Sequence, residues 1–259
     1  ALTKAKADER KNVYVYEDKN SKKALPKEQW RDILEESIEK NHFSLKFWPT
    51  IDVTTNEMIH KVMTFTIADT KDKKFCYGDF IAPAITLGLV GKMYVVVLKD
   101  LLTTKHTELT GSICSIRLSN EFLKDSNAFD ELSSLFQTYA KKLDFKLCLE
   151  VSNTFAINNV ATVKGFADLF KKYNFGFSIN SFTLESGGFA YLKELNPEFI
   201  KADVSFLLDQ TKESMNNLEV VTKSLGVEII ATYVKNKEEL DALKEIGINK
   251  VQGPISENI

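Results

Sequence analysis

Short apolar stretches alternate with longer amphipathic ones along most of the 259-residue chain. From about residue 135 one pattern recurs: a basic helix end, a turn, a short apolar strand and then a polar residue. The polar residues that follow these strands are Glu150, Asn180, Lys201, Thr232 and Gln252, 20 to 31 residues apart. That spacing holds one helix, two loops and one strand, so the second half of the chain predicts parallel βα units.

The first half supplies further elements of both kinds. Apolar patterns predict strands at 43–51, 60–67 and 111–119, and helices near 79–87, 90–102 and 128–141. Eight strands in all favour a closed (β/α)8 TIM-like barrel, an α/β fold, although an open doubly wound sheet fits the same pattern less well. The first two strands are joined across a polar turn and read as a hairpin, so one strand should run antiparallel.

In such a barrel the carboxyl ends of the strands meet at one mouth, where active sites are found. The candidate functional residues are therefore the polar and unusual side chains at predicted strand ends. They are Trp48, Val62, Thr66, Arg117, Glu150, Asn180, Ser181, Lys201, Asp203, Thr232, Lys235 and Gln252.

Composition narrows the function class. A formal charge of −2, 44% hydrophobic and 27% charged residues describe an ordinary globular protein without the basic surplus that nucleic-acid binding needs. The longest apolar run, at 93–98, is far too short to span a membrane, so no membrane contact is expected. Three cysteines without metal-type spacing fit a reducing cytoplasm. The three histidines share no motif, so His42, His60 and His106 are expected on the surface or in loops.

Several stretches resemble motifs of one family in order and at the right spacing. "FSLKFWPTID" resembles FxLxYQPIxD, "LCLEVSNT" resembles LxLEITES, and "VEIIATYVK" with "VQG" resembles VxxIAEGVE with its closing QG. The chain is similar in this way, over about residues 28 to 256, to EAL domains. The resemblance implies a barrel that hydrolyses cyclic di-GMP with the help of Mg²⁺ or Mn²⁺.

The resemblance also implies a domain plan. Residues 1–22 are similar to the end of a GGDEF domain, 23–41 would form a connecting helix, and 42–259 would form the EAL-like barrel. On this interpretation the chain is the C-terminal part of a GGDEF-EAL signalling protein of bacteria.

The family's metal site requires several carboxylate oxygens close together, because hard divalent cations prefer oxygen ligands. By resemblance, uncharged or basic residues occupy most positions where the family has a metal ligand or a motif acid. These degenerate-site positions are Val62, Arg117, Asn180, Ser181, Thr232 and Lys235. We therefore predict no metal ion, no other cofactor and no catalytic residue.

A residual pocket of motif residues remains, formed by Glu150, Lys201, Asp203 and Gln252. Arg117 and Lys235 would place positive charge where cations bind in the family, or would replace the metals electrostatically. Simpler roles stay open: Glu150 and Lys201 could form an ordinary ion pair, and Asp203 could cap a helix.

Two further positions bear on ligand access. The resemblance implies a Gln at position 48 and an Arg at position 66, which bind guanine or phosphate in the family. Trp48 and Thr66 are predicted to block the pocket, although Trp48 could instead stack on a base.

The resulting prediction is a protein that is not an enzyme: a catalytically inactive EAL-like module that acts through a protein partner or as a homodimer. By resemblance, the dimer would use 182–192 and the helix near 206–225. Two alternatives remain, a non-hydrolysing cyclic di-GMP receptor and a residual cyclic di-GMP phosphodiesterase.

Overall fold

A computed structural model describes residues 25–104, 106–184 and 188–257 of the chain. The predicted GGDEF remnant at 1–22 lies outside these residues. The strands are β1 (Phe43–Asp52), β2 (Glu57–Ala68), β3 (Lys74–Cys76), β4 (Ile113–Arg117), β5 (Lys146–Ser152), β6 (Gly176–Asn180), β7 (Phe199–Asp203), β8 (Glu228–Thr232) and β9 (Lys250–Gln252).

The helices mostly cover the outside of the sheet. They are α1 (Lys27–Glu39), α2 (Tyr77–Leu87), α3 (Val90–Thr103), α4 (Asn120–Lys124), α5 (Ala128–Tyr139), α6 (Asn153–Asn158), α7 (Val160–Lys172), α8 (Ala190–Leu195), α9 (Val204–Leu208), α10 (Lys212–Leu225) and α11 (Lys237–Glu245). Short 3₁₀ turns lie at Thr107–Leu109, Ala140–Lys142 and Pro254–Glu257.

The sheet closes on itself. The strand order is β1-β9-β8-β7-β6-β5-β4-β2, and β1 also pairs with β2, which completes a ring of eight strands. Strand β1 runs antiparallel to both neighbours, and the other neighbouring pairs of the ring are parallel. Both the TIM-like barrel and its antiparallel strand are confirmed. Strand β3, a short addition to the edge of β2, was missed.

Local sequence explains the main elements. Strand β5 reads KLCLEVS and is buried on both faces after its first residue, as expected for a parallel strand covered by helices. The β1–β2 hairpin turns at Asn56, whose φ of 59° suits asparagine. Helix α10 ends at Gly226 with φ of 69°, a left-handed stop that directs the chain into β8.

Helix α1 is packed on the barrel. The Trp30 ring meets the Phe75 ring edge-on with centroids 5.0 Å apart, and Leu34 is fully buried. The predicted helix at 23–41 is thus seen as Lys27–Glu39, docked beside β3.

The barrel interior is layered. At the end opposite the mouth, Cys148, Phe199 and Ile230 form a small apolar cluster with Ile59 and Ile113. Because strand side chains alternate between faces, the residues two positions further along β4, β5 and β7 lie in the next layer towards the mouth. These are Ser115, Glu150 and Lys201, and all are buried. A polar layer therefore sits on an apolar base.

Candidate functional site at the barrel mouth

The polar layer is organised around the carboxylate of Glu150. Its Oε1 atom accepts hydrogen bonds from the Ser115 hydroxyl and the Lys201 ammonium. Its Oε2 atom accepts from the side-chain amide of Asn180 at 2.6 Å. Glu150 is only 1% exposed, so these donors, and not solvent, satisfy its charge.

Lys201 connects this carboxylate to the other side of the barrel. Its Nζ atom forms an ion pair with Glu150, lies 2.8 Å from Nε2 of His60 and donates to Oε1 of Gln252 at 3.1 Å. An ammonium has donors only, so His60 must accept through Nε2 and is neutral. We call this set the floor network: His60, Ser115, Glu150, Asn180, Lys201 and Gln252.

The position of His60 corrects a prediction. It was expected on the surface or in a loop, yet it lies inside the barrel on β2, opposite Thr50 of β1, and is fully buried. Among the described residues, its Nδ1 atom has no hydrogen-bond partner. Alternation along β2 could have found it, because position 60 shares a strand face with the mouth residue Val62.

Burial and charge shift two pKa values in the floor network. Burial raises the pKa of Glu150, but the attraction of Lys201 and the hydrogen bonds from Lys201, Ser115 and Asn180 bring it down to about 2. Burial and then the Lys201 ammonium lower the pKa of His60 to about 3, against the opposing pull of Glu150. At neutral pH the floor therefore contains one anion, one cation and a neutral imidazole.

Above the floor, Arg117 marks the end of β4. It pairs in register with Glu150 on β5, is exposed, and reaches the Ser181 hydroxyl over a long 3.4 Å hydrogen bond. Ser181 adopts a left-handed φ of 53° and donates to Oδ1 of Asn180 at 2.8 Å. The structure thus brings Arg117, Asn180 and Ser181 together.

The β1–β2 side of the mouth carries an exposed tryptophan. Trp48 is 37% exposed, and its indole N–H donates to the Thr64 hydroxyl at 3.1 Å. Val62, opposite Trp48 across the hairpin, is buried, and Thr66 lies further up β2 between β1 and β3.

On the opposite side, two candidate residues have structural contacts. Asp203 caps α9, because its Oδ1 accepts from the backbone N–H and the hydroxyl of Ser205. The Thr232 hydroxyl donates to the carbonyl of Ala202 at 3.1 Å. Lys235 is exposed in the loop after β8.

Exposed cationic and aromatic residues lie around the mouth, on β1, at the carboxyl end of β4 and just after β8. We call this set the rim: Lys46, Trp48, Arg117, Tyr233 and Lys235. Sequence reasoning missed Lys46, which shares a strand face with Trp48, and Tyr233, which directly follows the last residue of β8.

These side chains do not resemble a site for two divalent cations. Within the described ranges, no three His, Cys, Asp or Glu side chains are grouped so that they could hold a metal ion. Glu150 is engaged by three donors, one of them an ammonium. The rim instead presents guanidinium and ammonium groups, which are complementary to anions.

With this geometry established, comparison with known proteins identifies the family. The sequence model of the EAL domain matches residues 31–257. This chain belongs to the EAL domain family. The chain is 23% identical over 98% of its length to cyclic di-GMP phosphodiesterase PdeB of Shewanella oneidensis, and 22% identical over 85% of its length to cyclic di-GMP phosphodiesterase PdeF of Escherichia coli. It spans 31% and 30% of those two relatives.

Solved structures share the fold. The S helix-GGDEF-EAL structure of Vibrio cholerae LapD without ligand has a TM-score of 0.86 at 17% identity, covering 99% of this EAL domain chain and 63% of that one. The FimX EAL domain of Pseudomonas aeruginosa bound to c-di-GMP has a TM-score of 0.72 at 22% identity, covering 86% and 93%.

These comparisons correct one prediction. The prediction that the chain is not an enzyme is wrong, because the match spans the barrel of a family whose members here include named cyclic di-GMP phosphodiesterases. The prediction rested on residues at single positions of the site, whereas the family match extends over residues 31–257.

Membrane topology adds one observation. None of the helices in the described part of this EAL domain chain is both long and apolar enough to cross a bilayer.

Proposed function

We propose that this EAL domain acts in cyclic di-GMP signalling by binding cyclic di-GMP at the barrel mouth, without a metal ion. The observation that carries this proposal is the contrast between a charge-balanced floor and a rim of exposed cations and aromatic rings. A cyclic dinucleotide offers the matching chemistry, two phosphodiester anions and two flat bases.

The phosphates would be bound by the cationic part of the rim. Arg117 has a planar guanidinium that can donate two parallel hydrogen bonds to phosphate oxygens, while Lys46 and Lys235 add positive charge. Two acids on this side of the mouth are already engaged: Oδ1 of Asp203 accepts from Ser205, and Oε2 of Glu239 accepts from the backbone N–H of Lys235 at 2.7 Å. The Glu150 charge is neutralised by Lys201, so it repels an incoming anion weakly.

The bases would be bound by the aromatic part of the rim. Trp48 exposes part of its indole at the mouth while its N–H is held by Thr64. Stacking of a base on an aromatic side chain contributes about 1–3 kcal/mol.

The ligands and names of similar proteins also support cyclic di-GMP as the ligand. Solved structures bound to c-di-GMP include LapD of Vibrio cholerae and FimX of Pseudomonas aeruginosa, and the relatives PdeB and PdeF are named cyclic di-GMP phosphodiesterases. A protein partner or homodimer, as inferred from sequence, stays a prediction that this proposal does not need.

The proposal is tested by calorimetric titration of this chain with cyclic di-GMP, once with EDTA and once with Mg²⁺ or Mn²⁺. We expect a dissociation constant in the micromolar range, unchanged by EDTA. Absence of binding up to about 1 mM ligand, equivalent to about −4 kcal/mol, would overturn the proposal. Chromatography of the same samples measures any linear dinucleotide formed, and so separates binding from the phosphodiesterase reaction of the named relatives.

A further inference from the structure

Tyr233 has a backbone conformation that is unusual for a large and exposed residue. Its φ is 62°, in the left-handed region that large side chains rarely adopt, and the residue is 60% exposed. A strained residue usually persists because its surroundings fix it, and such residues cluster at functional sites. Since most of the ring is in water, burial does little to offset the strain.

The neighbouring backbone fixes this conformation. Val234 is fully buried; its N–H donates to the carbonyl of Gln252 at 3.2 Å, and its carbonyl accepts from the N–H of Ile255 at 3.1 Å. A Cβ atom on Gly253 would lie 2.5 Å from both the N and O atoms of Val234, so the two backbones touch. Tyr233 is therefore held between an anchored Val234 and a buried Thr232.

Glycine would suit this position better than tyrosine. Glycine adopts positive φ without a steric penalty. The closing motif that this stretch resembles, IAEGVE against IATYVK, has glycine in the same place. This chain thus has a large exposed ring, at the carboxyl end of a barrel strand, where a glycine would relieve strain.

Tyr233 lies at the mouth, near a second exposed aromatic residue. Tyr233 follows β8, and Trp48 lies on β1; a single strand, β9, separates β8 from β1. Two strand spacings of about 4.8 Å place the two backbones about 10 Å apart. Two exposed aromatic residues therefore lie on either side of β9 at the mouth, and aromatic rings are suited to contact with flat bases.

We propose that Tyr233 is a base-stacking residue that helps to determine nucleotide affinity at this mouth, held in place at the cost of backbone strain. This inference rests on the proposed function, because it takes cyclic di-GMP as the ligand. It goes beyond the proposed function because it assigns part of the affinity for cyclic di-GMP to one residue.

The test combines stability and binding in the same variants. Y233G should raise the melting temperature by a few degrees, because it relieves strain, and should weaken cyclic di-GMP binding about tenfold or more, because it removes the ring. Y233F should bind within about twofold of the unaltered protein, since the ring remains. The matched control is N174G, an exposed residue with φ of 60° before β6, at the opposite end of the barrel. It should keep full affinity.

The outcomes separate the two proposals. Binding that is unchanged in Y233G, while the unaltered protein binds, overturns this inference alone. Absence of binding by the unaltered protein overturns the proposed function and this inference with it. Equal losses in Y233G and Y233F would assign the effect to the hydroxyl group and also overturn the stacking role.

Discussion

The floor network and the rim lie one layer apart in the same barrel, yet they use charge in opposite ways. In the floor, the anion Glu150 and the cation Lys201 are both buried and satisfy one another. In the rim, Arg117 and Lys235 are exposed, and the hydrogen bond that the Arg117 guanidinium makes to Ser181 is long.

This difference indicates that the floor network stabilises the barrel and that the rim binds the ligand. Charges that are desolvated and paired fix the geometry of a barrel, because separating them leaves an uncompensated buried charge. Exposed charges contribute little to folding and stay available for a ligand. Changes in the floor should therefore alter stability, and changes in the rim should alter binding.

The largest expected effect is in the floor. Lys201→Met removes the cation and leaves Glu150 buried with only neutral donors, which should lower the free energy of unfolding by about 3–5 kcal/mol. Urea denaturation followed by circular dichroism measures the loss. The matched control is Lys193→Met at an exposed position of α8, which should stay within about 0.5 kcal/mol.

A second variant tests whether the loss comes from the pair. Glu150→Leu combined with Lys201→Met removes both charges, and it should be more stable than Lys201→Met alone. If the double variant is instead less stable by the sum of the two single losses, the ion pair is not the source of stability.

An intermediate effect is expected in the rim. Arg117→Ala should weaken cyclic di-GMP binding by about 1.5–3 kcal/mol, roughly tenfold to a hundredfold, because a charge-assisted hydrogen bond to phosphate is lost. Its melting temperature should stay close to that of the unaltered protein. The control is Arg31→Ala on α1, a partly exposed arginine paired with Glu28 and Glu35. Equal affinity in both variants would contradict a phosphate role for the rim.

The last effect is gradual and concerns the dependence of stability on pH. His60 has a pKa of about 3 in the folded protein against 6.5 when unperturbed, so between these values the unfolded chain binds a proton that the folded one does not. Stability should therefore fall as the pH drops below 6.5, by about 1.4 kcal/mol per pH unit from this group. The Glu150 contribution is present above its ordinary pKa of 4.5 and is lost as the pH falls towards 2.

His60→Gln isolates the histidine term. It should flatten the stability profile between pH 6.5 and 4.5, measured by urea denaturation at each pH, because glutamine does not titrate. The comparison is His42→Gln at an exposed position, which should leave the profile unchanged. A slope in His60→Gln as steep as in the unaltered protein would exclude His60 as its source.

Much of the fold could be predicted from the sequence because its signals are local. The helix predicted at 90–102 is observed at Val90–Thr103, and the strand predicted at 43–51 is observed as Phe43–Asp52. Alternating apolar residues and a polar hairpin turn were sufficient for these elements. Strand β3 was missed because three residues carry too little periodicity to detect.

The candidate site was predictable only in part. Glu150, Lys201 and Gln252 were placed together because consecutive parallel strands end at one mouth, and the structure brings them into contact. The burial of His60 depends on which face of β2 turns inwards, and the strain at Tyr233 depends on the contact of Val234 with Gly253. Both arise from pairings between distant segments, which one sequence read alone does not display.

Closure of the ring has a consequence for synthesis of the protein. Strand β1 pairs with β2, which follows it within a few residues. Its other neighbour is β9, a strand of three residues that lies almost two hundred positions later in the chain. Until β9 has been synthesised, the sheet cannot close and has two unpaired edge strands. Unpaired edge strands can form hydrogen bonds with other chains and so promote aggregation. Chaperone dependence or aggregation during slow translation would follow from this late joining of the first and last strands.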